Sequence, residues 1–185
     1  MTTDGQFLGP AGVVLLHRRR IDDARGSFER LLCAEDIRRH GHPGTFAQAN
    51  RSVTLGPGTV RGMHMQLAPH AEWKVVTCTR GAVHDVVVDL RRGSAWFGRH
   101  VAVRLSGDRA DSVIVPPGCA HGFQVLEGPA EMIYAHSHPY APGAEFGVRA
   151  DDPSLAIAWP LPIAARSGRD AGFPDLAAAW PGVEP

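Results

Sequence analysis

Along the chain, apolar residues recur in short β-branched runs broken by Gly, Pro or Asp, and this pattern predicts strands far more than helices. "GVVLLHRR" (12–19), "KVVTCTRGAVHDVVVDLRR" (74–92), "HVAVRLS" (100–106), "DSVIVPPG" (111–118), "GFQVLEG" (122–128) and "AEMIYAHS" (130–137) each have that character, and "GTVRGMHMQLAPHAEWKVV" (58–76) reads as two strands and a turn. Helical patterning is confined to "LLCAEDIRRHG" (31–41), with Gly41 as its C-terminal stop, and to short pieces near the end. Many short strands with turn signals between them predict an all-β sandwich or barrel with a few short peripheral helices. Past Trp159 the chain turns rich in Pro, Ala and Gly. The core therefore spans about residues 12–160, and 161–185 form a tail packed over it and then frayed. There is no internal repeat and no low-complexity segment.

Length narrows the picture to one domain over 1–185, since 185 residues suffice for a single well-buried core. Lys plus Arg and Asp plus Glu balance at 19 each, so no basic field points to nucleic acid and no acidic tail to a basic partner. The triplet Arg18, Arg19, Arg20 reads as a solvated strand end. Cys33, Cys78 and Cys119 are odd in number and widely spaced, which fits reduced thiols better than a disulfide framework or a zinc knuckle. No apolar run reaches the roughly 18 residues needed to span a bilayer, and the N-terminus lacks the charged-then-apolar order of a signal peptide. A cytoplasmic protein that does not engage membranes is expected.

Candidate chemistry begins at "PPGCAHGF", where Pro116-x-Gly118-x-x-His121 follows a strand. The Pro and Gly make a tight turn, and the histidine after it points into the barrel. This is the second signature of the small β-barrels called cupins. In metal-binding cupins the first signature is Gly, five residues, His-x-His, then a Glu. Here Gly58 and His64 have the right spacing, but Gln66 replaces the second His and Glu72 comes one residue too late. A neutral amide is a poor transition-metal ligand, and an inward Lys74 places positive charge where a divalent ion would sit. No metal is expected, although a metal-dependent cupin enzyme stays open as an alternative.

The same residues suit acid–base work. An imidazole in a barrel mouth takes a proton near neutral pH when a carboxylate orients its other nitrogen, which makes His64 a candidate base. Inward Arg61 and Lys74 would stabilise an enolate oxygen, and Tyr134 on a facing strand could return a proton from the other side. Against this stands a bland reading in which His64 is a buried histidine satisfied by a backbone carbonyl and Tyr134 is core.

The blocks "DARGSFERLLCAEDI", "FAQANRSV", "GTVRGMHMQ", "EWKVV", "GAVHDVVVDLRRGSAWFG", "VIVPPGCAHGFQVL", "EMIYAHSHPYAPGAEFGVRADDPSLAIAWP" and "SGRD" resemble, in order and spacing, those of the dTDP-4-dehydrorhamnose 3,5-epimerases. The resemblance covers about residues 23–170. It implies a metal-free, cofactor-free, dimeric cupin-like jelly roll, acting on a dTDP-linked 4-keto-6-deoxyhexose to invert C3, C5 or both. It further implies His64 as base, Asp152 of "ADDP" as its paired carboxylate and Tyr134 as acid. Arg61, Lys74 and His121 match positions that hold the sugar or the enolate. Arg25, Phe28, Gln48 and Asn50 fall in blocks that meet nucleotide and pyrophosphate, with the Arg25 segment reaching across the homodimer, and Tyr140 matches a tyrosine near the substrate.

Some positions depart from the family pattern. Met65 replaces an aromatic after the base and reads as core packing. His84 stands where an aromatic is usual, and "AHSHPY" replaces a lysine-containing stretch with paired tyrosines. His84, His136 and His138 read as surface or satisfied strand histidines, with extra polar groups of the pocket as the alternative. A C3-only epimerase of an unusual deoxysugar and a non-catalytic sugar-nucleotide binder remain the other readings.

Overall fold

The computed structural model describes residues 4–9, 11–109, 111–177 and 180–184. Its elements are β1 (Asp4–Leu8), β2 (Val13–His17), β3 (Arg20–Asp23), β4 (Gly26–Glu29), α1 (Ala34–Arg38), β5 (Gln48–Thr54), β6 (Val60–Gln66), β7 (Lys74–Asp89), β8 (His100–Ser106), β9 (Asp111–Val115), β10 (Cys119–His136), β11 (Glu145–Gly147) and α2 (Gly168–Ala171). The two long strands β7 and β10 pair antiparallel and each serves two sheets. Residues 74–77 of β7 pair with β9 and residues 82–88 with β8. On β10, residues 130–136 pair with β5 and residues 121–124 with β6. One half of the fold therefore runs β1-β2-β9-β7-β10-β5, and the other β8-β7-β10-β6-β11.

These halves face each other. Val76 and Cys78 from the first half of β7 meet Val83 and Val87 from the second in one buried cluster with Leu105, Val113, Val115, Phe123, Val125 and Met132. The result is the all-β jelly roll that the strand pattern predicts. Outer faces are covered too. Ile37 of α1, with Leu32 and Trp73, packs on Val14, Leu16, Val75, Ile114 and Ala135. Trp159, Ile163, Leu176, Trp180 and Val183 of the C-terminal segment cover Val60, Met65, Val86 and Val88. Burial on both faces explains why "DVVVDL" is a continuous apolar run and not an alternating one. Each such aliphatic side chain contributes about 1.5–3 kcal/mol.

Three expectations need correction. Runs 122–128 and 130–137 belong to one strand, β10, whose register shifts around Pro129, a residue with no N–H to donate to a ladder. The helix of 31–41 contracts to α1, with Gly41 at φ +87 just beyond it. The tail is not frayed at its end: Val183 N–H donates to Leu90 O at 2.9 Å and Arg92 N–H to Val183 O at 2.8 Å. Ala178, Ala179 and Pro185 of that tail lie outside the described residues. Among the described residues no helix is long and apolar enough to cross a membrane.

Candidate active site

Strand register places the polar residues of one half in rows across the sheet. Gln48, His136 and Lys74 are cross-strand neighbours on β5, β10 and β7, and Asn50, Tyr134 and Val76 form the next row. From the other half, His64 of β6 pairs directly with His121 of β10. Side chains of both groups, with Arg61, Ser52, Gln66, Glu72, Tyr140, Glu145 and Arg169, line one cavity of about 270 Å³.

At one side of this cavity His64 Nε2 lies 2.9 Å from Asp170 Oδ1. The partner carboxylate is thus Asp170 of α2 and not Asp152. Asp152 instead accepts from Ser154 N–H and Ser154 Oγ–H, both at 2.7 Å, and from Leu176 N–H at 2.5 Å, tying the loop at 151–155 to the tail. Ser167 caps the short turn that presents Asp170, accepting from the Asp170 N–H at 3.0 Å. Burial by itself would raise the Asp170 carboxyl. Hydrogen bonds from His64 and from the Gly62 N–H at 3.0 Å outweigh it and hold the group well below the usual carboxylate range. An ionised Asp170 only accepts, so His64 Nε2 carries the proton and Nδ1 keeps the lone pair a base needs.

Two glycines make this arrangement possible. Gly62 has φ +121, and a Cβ there would lie 2.5 Å from Gly122 Cα. One at Gly122 would lie 2.6 Å from Met63 Sδ. β6 and β10 touch at their backbones beside His64 and His121, which only two residues without side chains allow.

His121 Nε2 lies 2.8 Å from Asp85 Oδ2, a second histidine–carboxylate pair, fully buried. Its ring meets Tyr134 edge-on, centroids 6.3 Å apart. The Tyr134 hydroxyl lies 3.0 Å from Ser52 Oγ. Burial, helped by the Asp85 carboxylate, pushes the phenol up to about 12 against the lowering effect of Ser52 and Arg61. Tyr134 therefore holds its proton at any working pH, as an acid must.

The far wall is a closed polar network. Glu72 Oε2 accepts from Gln66 Nε2 at 3.0 Å and lies 3.0 Å from His136 Nδ1, while Lys74 Nζ is 3.2 Å from Glu72 Oε1 and donates to His64 O at 3.1 Å. Burial would raise Glu72, but His136 and Lys74 outweigh it and keep the carboxyl below its ordinary value. His136 is thus not at the surface: it is a strand histidine satisfied by Glu72 that also lines the cavity, as an extra polar group of the pocket. The positions that echo a metal signature are committed elsewhere: the Gln66 amide is used on both sides, its oxygen by Ala141 N–H at 2.6 Å. Among the described residues no three His, Cys, Asp or Glu side chains gather as metal ligands do.

Arg61 Nε donates to Thr54 Oγ1 at 2.8 Å, at the cavity edge. Gln48 Oε1 accepts from Tyr140 N–H at 2.7 Å, and the Tyr140 hydroxyl donates to Glu145 at 3.1 Å, framing the mouth. Arg169 bridges from Glu145 at 2.7 Å to within 3.2 Å of His64 Nε2. Arg25 and Phe28 are not brought into this cavity. They lie on the separate β3–β4 hairpin, where Arg25 pairs with Asp23 at 2.6 Å and Phe28 is 63 % exposed. Met65 is buried in the core, His84 packs edge-on against Trp159, and His138 is exposed beside Ser137.

Asp170, Asp85, Ser52 and the pairing of Glu72 with His136 escaped the sequence reading. A signal existed for Asp85, a lone acid inside the apolar run "AVHDVVV", and for Asp170, the acid of "SGRD".

The profile of the dTDP-4-dehydrorhamnose 3,5-epimerases matches residues 10–178. A dTDP-4-dehydrorhamnose 3,5-epimerase of Sinorhizobium fredii is 37 % identical over 172 residues, 92 % of this chain and 88 % of its own. A 4-keto-6-deoxy sugar epimerase from the novobiocin biosynthetic gene cluster of Streptomyces spheroides superposes with TM-score 0.89 at 37 % identity, over 95 % of this chain and 88 % of that one. A 3'-monoepimerase from Streptomyces bikiniensis, solved with dTDP-quinovose, gives TM-score 0.84 at 35 % identity, over 91 % and 86 % of the two chains. With this jelly roll and the His64–Asp170 pair at the cavity that Tyr134 also lines, the chain belongs to the dTDP-4-dehydrorhamnose 3,5-epimerase family.

Proposed function

We propose that this chain is a single-domain isomerase that epimerises a dTDP-4-keto-6-deoxyhexose at C3, C5 or both. The observation that carries the reading is the pair of groups lining one cavity: His64, oriented by Asp170, from one half of the barrel, and Tyr134, held protonated, from the other. His64 Nδ1 removes the proton next to the C4 ketone, and Asp170 stabilises the imidazolium that forms. Arg61 and Lys74 supply positive charge as the enolate oxygen develops. His121, fixed by Asp85, holds the sugar. Tyr134 protonates the carbon from the opposite face. Because the ketone acidifies both neighbouring C–H bonds, the scheme balances without metal or organic cofactor.

Gln48, Asn50 and Tyr140 at the mouth suit the nucleotide and pyrophosphate. Arg25 and Phe28, exposed on their hairpin and not lining their own cavity, fit a homodimer in which they complete the partner's site; arginine binds pyrophosphate with two oxygens at once. Three free cysteines fit a reducing cytoplasm.

The test is deuterium uptake from D2O into dTDP-4-keto-6-deoxyglucose, followed by mass spectrometry with product identification. Uptake is expected, and is expected to vanish in His64→Ala. No uptake by folded, nucleotide-binding protein would overturn the epimerase reading for this substrate. The similarity to a 3'-monoepimerase favours a second reading, C3 inversion alone, which predicts one deuteron per product in place of two.

A further inference from the structure

If Tyr134 delivers one proton per inversion, it must be recharged before it acts again. Nothing titratable does this directly: among the described residues, the phenol's hydrogen-bond partner is the Ser52 hydroxyl, at 3.0 Å. Asp85, whose charge bears on the phenol, is engaged by His121. Ser52 is half-buried and lines the same cavity between Asn50 and Thr54, on β5, a strand paired on one side only, with β10. Its hydroxyl therefore touches the phenol from a residue that keeps part of its surface open to solvent.

We infer that Ser52 is the relay that reloads Tyr134, passing a proton from solvent to the tyrosinate after each protonation of carbon. The inference rests on the acid role proposed for Tyr134. Before reaction Ser52 Oγ–H donates to the phenol oxygen, leaving the phenolic proton free to point at the sugar. As the new C–H bond forms, the Tyr134 O–H bond breaks. The tyrosinate takes the Ser52 proton, and Ser52 takes one from water. The hydroxide left behind is neutralised by the proton that His64 returns to solvent, so one proton leaves the substrate and one enters it. A hydroxyl suits this task because it donates and accepts at the same oxygen without a net charge of its own. A phenol as reluctant to ionise as Tyr134 drives that recharging strongly forward.

Loss of the relay spares the first inversion, for which the proton is already loaded, and slows the turnovers that follow. In quenched-flow with excess dTDP-4-keto-6-deoxyglucose, wild type forms epimerised product linearly. Ser52→Ala is expected to form about one equivalent per site at the wild-type rate and then to slow about tenfold or more. Ser52→Thr, which keeps the hydroxyl, is expected to restore linear turnover. Two results overturn the relay: steady-state turnover of Ser52→Ala within about twofold of wild type, or a first turnover reduced by the same factor as the steady state, the mark of a merely structural serine. Wild type and Tyr134→Phe are run alongside. An inactive wild type defeats the epimerase reading itself, and full inversion by Tyr134→Phe defeats the acid role of Tyr134 on which the relay rests; both are distinct from either relay outcome.

Discussion

His64 Nε2 and Asp170 Oδ1 lie 2.9 Å apart across 106 positions of sequence, one on a central strand and the other on a single helical turn of the C-terminal segment. The tail therefore supplies the carboxylate that His64 meets. Asp170→Asn removes the charge that orients and stabilises the imidazolium, and kcat is expected to fall about 100- to 10,000-fold with little change in KM. Asp152→Asn is expected to leave kcat within about threefold while lowering stability by about 1–3 kcal/mol, because it unties the loop from Leu176. Steady-state kinetics and urea midpoints on both variants separate the roles. A catalytic collapse confined to Asp152→Asn would reverse the assignment.

Asp170 also shapes acid stability. Its folded-state value lies below the ordinary 3.8, so the unfolded chain binds more protons in that range. The stability it contributes is fully present above about pH 4 and is lost as the pH falls below that. In Asp170→Asn the urea midpoint is expected to fall less steeply between about pH 4 and pH 3 than in wild type. Parallel profiles would contradict a depressed Asp170.

The chain has two tyrosines, so Tyr134 can be titrated alone in Tyr140→Phe. The phenolate absorbance is expected to rise at about pH 12, and a transition near pH 10 would exclude a desolvated phenol. Tyr134→Phe is expected to keep deuterium exchange, which needs only His64, while losing inversion. Equal loss of both would give the tyrosine a different part.

The contact of β6 with β10 leaves no room for a methyl group. Gly62→Ala, with φ +121 and Gly122 Cα 2.5 Å from the new Cβ, is expected to lose about 2–4 kcal/mol and most activity. Gly143→Ala, whose Cβ meets nothing within 4 Å, is expected to stay within about 0.5 kcal/mol of wild type. Denaturant midpoints decide, and an undisturbed Gly62→Ala would mean that the strands can separate there.

Legibility in the sequence followed burial. β7, β8 and β9 announced themselves because both faces of β7 and the inner faces of their neighbours are aliphatic. β5 did not, since "QANRSVT" turns Gln48, Asn50 and Ser52 toward a polar cavity and leaves Ala49 and Val53 exposed, which erases the apolar alternation. The strand was silent because it serves the site. The pocket role of His136 stayed open in the sequence for a related reason: its partner Glu72 lies 64 residues away, and no local pattern links them.

By itself the sequence determined the all-β class, the family, and the candidates His64 and Tyr134, because alternation and motif spacing are local properties written residue by residue. The tertiary structure alone decided that Asp170 and not Asp152 meets His64, that Asp85 holds His121, and that Ser52 touches the Tyr134 phenol. Those pairings depend on how strands register across a closed barrel and where the tail returns to it. Two carboxylates of the same charge and similar setting in sequence become distinct only when folding buries one against an imidazole and spends the other on backbone N–H groups.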